Sequence, residues 1–168
     1  RRIGKSSILN EFLKDKNGLL FQAKQDNSYG NLKSFSYEVD HLLDLPDTFV
    51  FASWQHAFKS IQEYAKNERF VLVIDEYPYI VSQDSSFSSV LQEFIDHASD
   101  NMMVILSGSD IGFLQREIQN HASPLYKRRT FEMEIKKMNF MDAKEFVKME
   151  DIKNQANYLC LMSGYPYY

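Results

Sequence analysis

The chain has 168 residues, 44% apolar and 25% charged, which suits one globular domain with a core or a core domain with a small lid, and excludes a disordered chain. Its 19 basic and 23 acidic residues give a net charge of −4, so no overall basic footprint argues for nucleic acid, and no apolar stretch approaches the ~18 residues that span a bilayer. The single cysteine, Cys160, can form no internal disulfide, which suits a reducing interior and sets the expectation of a cytoplasmic protein.

Taken in chain order, Gly4-Lys5-Ser6 comes first and leads into a predicted helix over 6–15, with Ile8, Leu9, Phe12 and Leu13 on one face. Gly18 ends that segment, and residues 19–23 read as a strand. A helix is expected over 30–44, closing at Leu45-Pro46. Ser53 then caps a helix on which Trp54, Ala57, Phe58, Ile61, Tyr64 and Ala65 share one face. The apolar run 70–74 predicts a buried strand, followed by a loop at Pro78 and 82–86. Phe87, Val90, Leu91, Phe94, Ile95 and Ala98 recur at helical spacing.

Residues 102–106 are again continuously apolar, as expected of a strand covered by helices on both faces. That strand ends in Ser107-Gly108-Ser109, and Asp110 caps the next helix. Residues 131–135 alternate apolar and charged, the pattern of an edge strand. From Asp142 two short helices are expected, one marked by Ala143, Phe146 and Val147, the other by Ile152, Ala156 and Leu159 and ending at Gly164. The whole reads as an α/β core with a mostly parallel sheet over 1–137, followed by a small helical lid over 138–168. His41, His56, His97 and His121 show no ligand-like spacing, and His56 and His97 are expected in solvent. The evenly spread aromatic residues suggest core and lid packing.

Two segments carry chemistry. Gly4-Lys5-Ser6 is the end of a G-x-x-x-x-G-K-S/T phosphate-binding loop, the Walker A motif, whose backbone N–H groups and lysine surround the β- and γ-phosphates. Val71-Leu72-Val73-Ile74-Asp75-Glu76 is a buried strand ending in two acids, the Walker B motif. In this pairing Lys5 sets a cation at the γ-phosphate, Ser6 and Asp75 hold Mg2+, and Glu76 polarises the attacking water. Arg2, Ile3, Gly4 and Ser7 complete the phosphate-facing segment, although Arg1 and Arg2 suit solvent equally well. The first loop glycine and the strand that feeds the loop would lie upstream of Arg1, so the sequence is expected to be a piece of a longer protein. Ser107 and Ser109 are candidates to bond the γ-phosphate or the attacking water, or a plain serine turn. Arg128 or Arg129 is a candidate to reach a phosphate in its own subunit or a neighbour's, or a solvated basic surface.

These segments recur in order with Leu106-Ser107-Gly108-Ser109, Ser123-Pro124-Leu125-Tyr126, Arg128-Arg129-Thr130 and Gly164-Tyr165-Pro166, and the most specific of them is Asp75-Glu76-Tyr77-Pro78-Tyr79. The chain resembles the archaeal-type ATPases of the AAA+/STAND branch of P-loop NTPases along nearly its whole length. The resemblance implies a three-layer sandwich with a five-stranded parallel sheet in the order 5-1-4-3-2, a helical lid and usually a winged helix beyond it. It also implies that the Gly-x-Pro turn packs Pro166 against the adenine. The first, central strand of that sheet is missing from this sequence. Lys127 stands where similar sequences commonly show glycine, which leaves the choice between Arg128 and Arg129 open, and Ser163 replaces the first glycine of a frequent Gly-Gly-x-Pro.

The expected function is Mg-dependent ATP hydrolysis that switches downstream domains. The alternatives are a nucleotide-gated binding module with little turnover and a DNA-handling motor or clamp acting through a downstream winged helix. A homo-oligomer is a further expectation, from the arginine position that resembles an inter-subunit finger.

Overall fold

In the computed structural model the described residues are 3–44, 49–145, 147 and 151–162, so the expectations placed on Leu45, Pro46, Phe146, Ser163 and Gly164 lie outside them. The chain divides into two units, Phe12–Thr130, and Arg1–Glu11 with Phe131–Tyr168.

Phe12–Thr130 holds a parallel sheet of three strands, β1 (Gly18–Gln22), β2 (Phe70–Asp75) and β3 (Met102–Leu106), in the order β1-β2-β3. The register sets Leu19 opposite Leu72, Phe21 opposite Ile74, and Ile74 opposite Leu106. This is an α/β arrangement with a parallel sheet, as expected. All six residues of β2 are buried, which is why its sequence is apolar without alternation. Leu19, Phe21, Phe70, Leu72 and Ile74 lie in one core with residues of the helices, and Met102, Val104 and Leu106 pack against it.

The helices of this unit are α2 (Ser28–Leu43), α3 (Trp54–Tyr64), α4 (Pro78–Gln83), α5 (Phe87–Asp96) and α6 (Ile111–Gln119). Asn27 caps α2 by accepting from Gly30 N, and Asp44 ends it in the left-handed conformation at φ 54°. Ser53 caps α3 as expected, accepting from His56 N, and α3 buries Trp54, Ala57, Phe58 and Ile61. α5 meets that face with Phe87, Leu91 and Phe94. Here the aromatic residues do pack a core: Phe58 stacks on Phe94 at 4.6 Å between ring centroids, and Trp54 meets Phe87 edge-on at 4.7 Å. Truncating a side chain such as Phe58 at this junction costs about 3–5 kcal/mol. His56 and His97 are exposed, as expected.

Three expectations are corrected. The segment read as a loop after β2 begins with a helix, α4, because Pro78 at its first turn has no N–H to leave unsatisfied and a φ already set for the helix. β3 is not covered on both faces: Met103 is 49% exposed while Val71, opposite it in the sheet, is buried. Residues 131–135 form no strand, and residues 131–139 have no regular structure. Phe131 and Met133 are exposed, and among the described residues no strand pairs with this segment, so its alternation has no ladder to express it. In the implied order it would pair with the strand that feeds the phosphate loop.

α1 (Lys5–Leu13) buries Leu9, whereas Ile8 and Phe12 of its expected apolar face are exposed. Among the described residues of Phe131–Tyr168, Asn139 caps α7 (Phe140–Ala143) by accepting from Asp142 N, and α8 (Ile152–Met162) follows. No helix of the described residues is long and apolar enough to cross a membrane.

Candidate active site

Gly4 immediately precedes α1 at φ 86°, a left-handed conformation open to glycine at little cost, and its carbonyl accepts from Ile8 N at 3.0 Å. Lys5, Ser6 and Ser7 therefore form the first turn of a helix, where backbone N–H groups have no intrahelical acceptor and suit an anion. Ile3 and Gly4 precede that turn. Arg2 and Pro166 lie outside the described residues.

The second motif sits at the C-terminal end of β2, where parallel sheets present their ligand-binding residues. Asp75 is fully buried, and its Oδ1 accepts from Ser107 Oγ at 2.7 Å and from Glu76 N at 3.0 Å. Glu76 Oε2 accepts from both Ser109 N, at 3.1 Å, and Ser109 Oγ, at 3.0 Å. The two acids of β2 are thus each held by one of the two serines that end β3. The backbone repeats the tie, with Ser107 N donating to Ile74 O at 3.0 Å and Tyr77 N donating to Ser107 O at 2.9 Å. Gly108 is needed between the serines because a Cβ there would stand 2.8 Å from Pro78 Cδ.

Glu76 occupies φ 55°, a conformation that costs a non-glycine residue roughly 1–2 kcal/mol. Such strain persists where neighbours fix the backbone on both sides. Asp75 on one side is hydrogen-bonded through Ala23 N to its carbonyl at 2.9 Å. Tyr77 on the other side is fully buried, its hydroxyl 2.7 Å from Ser88 Oγ and 3.1 Å from Glu117 Oε2, which also accepts from Ser88 Oγ at 2.9 Å. Burial pushes the Tyr77 phenol far above its ordinary range; the Ser88 bond opposes that rise and the Glu117 carboxylate adds to it, so Tyr77 keeps its proton.

The sequence reading named Asp75, Glu76, Ser107 and Ser109, and these four come together. It missed Tyr77, Ser88 and Glu117. Tyr77 lies inside the most specific motif, but nothing in a single sequence ties it to a glutamate 40 positions on.

The donors suit the groups an NTPase would hold. Mg2+ prefers one or two carboxylates completed by water and phosphate oxygens over an all-protein cage. A buried aspartate with one oxygen fixed by Ser107 and Glu76 N has the chemistry such a ligand needs, and the Ser6 hydroxyl, taken by itself, is a hard oxygen donor. Among the described residues no three His, Cys, Asp or Glu side chains cluster as a metal site of their own.

Arg128 occupies a different place. Its Nε and Nη2 donate to Asp96 Oδ1 and Oδ2, both at 2.7 Å, and Nη1 donates to Pro124 O at 2.9 Å. Arg129 is exposed.

A family model described as an ATPase domain predominantly from Archaea matches residues 1–158. A protein of Methanocaldococcus jannaschii, named Uncharacterized protein MJECL04, is 22% identical over 170 aligned positions. That alignment takes in all of this chain and 36% of the relative, so the chain spans about a third of the relative's length.

Proposed function

The chain belongs to the family of ATPase domains found predominantly in Archaea, and from that premise we propose that it binds Mg-ATP and hydrolyses it with Glu76 as general base. The observation that carries the reading is the pair of acids at the end of β2, Asp75 and Glu76, each gripped by a serine of the neighbouring strand end. A buried acid anchored for a cation, followed by a second acid held by two donors, has the form expected of a metal-holding residue beside a water-polarising one.

In this reading the N–H groups from Gly4 to Ser6 and the Lys5 ammonium hold the β- and γ-phosphates, and Pro166 packs on the base. Ser6 and Asp75 would hold Mg2+, which would supply charge neutralisation at the transferring group. Glu76 orients the attacking water and takes its proton at Oε1 or Oε2, a role worth about 10²–10⁴-fold in rate. Ser107 keeps Asp75 Oδ1 in place through the reaction, so the aspartate need not reorient. The reading requires both motifs to act on one nucleotide and rests for that on membership of the family. A core over 1–137, a lid over 138–168 and the coupling of hydrolysis to downstream domains belong to the same proposal. Assembly into a homo-oligomer and action on DNA through a downstream winged helix rest on the resemblance alone.

A second reading has its own observation. With two donors of Ser109 on one oxygen, Glu76 is stabilised as it stands, which suits a nucleotide-gated module with little turnover. Both are tested in the full-length protein with Glu76→Gln and Lys5→Ala. Hydrolysis is expected to fall by ~10²-fold or more in Glu76→Gln with calorimetric ATP affinity retained, and Lys5→Ala is expected to lose binding. Parental turnover in Glu76→Gln would remove the general base, and parental affinity in Lys5→Ala would remove the phosphate site. Slow parental turnover with tight binding would favour the switch.

A further inference from the structure

Helix α6 reaches the Glu76–Tyr77 step from both of its ends. At its start, Asp110 caps the helix by accepting from Phe113 N at 2.9 Å, and the residue before that cap, Ser109, holds the Glu76 carboxylate with its N–H and its hydroxyl. About two turns further along, Glu117 takes the Tyr77 hydroxyl at 3.1 Å and the Ser88 hydroxyl at 2.9 Å. Between these grips the Phe113 ring lies 6.2 Å from the Tyr77 ring, and Gly108 is pressed against Pro78. The acid and the residue after it are therefore fixed to one rigid element, one by its carboxylate and the other by its hydroxyl.

We infer that Tyr77 and Glu117 are positioning residues for the general base, with α6 clamping Glu76 through Ser109 in front and through Tyr77 behind. The inference rests on the proposed role of Glu76. Tyr77 is buried and its hydroxyl donates to Glu117, so it holds the following side of the left-handed Glu76 backbone in place. Loss of the hydroxyl frees Tyr77 to shift, and with it the direction in which Glu76 presents its carboxylate. Small errors in the direction of a catalytic group reduce the rate of the chemical step far more than they change the affinity for substrate.

The experiment uses the full-length protein and four variants: Tyr77→Phe, Glu117→Gln, Glu76→Gln and the double variant Glu76→Gln/Tyr77→Phe. Steady-state turnover, calorimetric Mg-ATP affinity and thermal midpoint are measured for each. Tyr77→Phe keeps the ring and its packing, and Glu117→Gln keeps the shape of the acceptor. Each is expected to lower kcat by roughly tenfold or more, with KM and affinity within about twofold of the parent. The double variant is expected to be no slower than Glu76→Gln alone, because a mispositioned base costs nothing once the base is gone. A merely structural role predicts other results, namely unchanged kcat in both single variants or a further multiplicative loss in the double variant, and either would overturn the inference. A parallel fall of kcat and affinity that tracks the unfolded fraction would do the same. Parental turnover in Glu76→Gln alone would bring down the general-base reading, and the clamp with it, and that single variant identifies which claim has failed.

Discussion

Arg128 meets Asp96 through two parallel hydrogen bonds, Nε to Oδ1 and Nη2 to Oδ2, each 2.7 Å long. Its remaining nitrogen turns inward to the carbonyls of Pro124, at 2.9 Å, and Tyr126, at 3.3 Å. The guanidinium thus fastens the turn after α6 to the C-terminal end of α5. Its hydrogen bonds hold the Asp96 carboxyl below the usual carboxylate value, and the bonds to Asp96 raise the arginine's own. Arg128, one of two neighbouring arginines that read alike in the sequence, is thus engaged with Asp96 and its own turn.

Arg128→Ala is expected to lower the thermal midpoint by a few degrees, and Asp96→Ala to lower it by a similar amount, with the double variant less destabilised than the sum. ATP affinity should stay near parental in all three. Arg129→Ala tests the other member of the pair: lost turnover with an unchanged midpoint would assign the transition-state contact to Arg129. A loss of turnover in Arg128→Ala with an unchanged midpoint would assign the phosphate contact to Arg128.

The sheet and its helices were legible because burial on one face writes a period into the chain. Asn27, Ser53 and Asp110 each cap a helix with the side-chain bond their residue type favours, although the start at Asn27 was not anticipated. β2 was legible for a different reason, since a strand buried on both faces is a continuous apolar run with no period. The pairing of Asp75 with Ser107 was not, because strand-end contacts depend on register, which alternation alone does not set. Residues 131–135 misled in the opposite way, since alternation marks a segment able to form a strand and a strand needs a ladder partner. Pro78 was read as a loop residue when its ring sits at the first turn of α4.

Lys127 carries φ 61°, a left-handed conformation that glycine adopts at little cost. Lys127→Gly and Lys127→Ala both remove the ammonium that stands 5.4 Å from the Tyr126 ring, so a comparison of the two isolates the backbone. The glycine variant is expected to be the more stable by about 1 kcal/mol, because only alanine places a Cβ in the left-handed region. Equal midpoints in denaturant would show that the turn relaxes out of that conformation.

Asp84 gives the fold an acid-sensitive point. Ser86 Oγ donates to Oδ1 of Asp84 in a short bond of 2.5 Å, and Ser28 Oγ donates to Oδ2 at 2.8 Å, joining the start of α2 to the turn between α4 and α5. The Ser86 hydroxyl is the main cause that holds the carboxyl below the usual carboxylate range, burial opposes it, and Ser28 adds to the fall. A folded value below the unfolded one means the contribution is fully present above about pH 4 and is lost as pH falls through the folded value. Asp84→Asn should therefore lower stability near neutral pH and flatten its decline below pH 4. A decline of unchanged slope in denaturant titrations from pH 7 to pH 2 would place the acid sensitivity elsewhere.

The two serines at the end of β3 should separate in their effects, because their hydrogen bonds differ in kind. Ser107 reaches Asp75 through its hydroxyl, so Ser107→Ala removes a side-chain donor from a fully buried carboxylate. An acceptor left short of a partner in the interior costs about 1–3 kcal/mol, more when charged, and a cation beside it offsets part of that loss. Ser107→Ala is therefore expected to lower the thermal midpoint in the absence of Mg-ATP and to recover part of it when Mg-ATP is added, with a raised Mg2+ requirement. Ser109 holds Glu76 with its backbone N–H as well as its hydroxyl, so Ser109→Ala keeps one of the two bonds. Its midpoint should shift little, and its turnover should change through kcat while the Mg2+ requirement stays parental. If Ser109→Ala moves the Mg2+ requirement and Ser107→Ala does not, the division of labour between Asp75 and Glu76 is the reverse of the one drawn from β2.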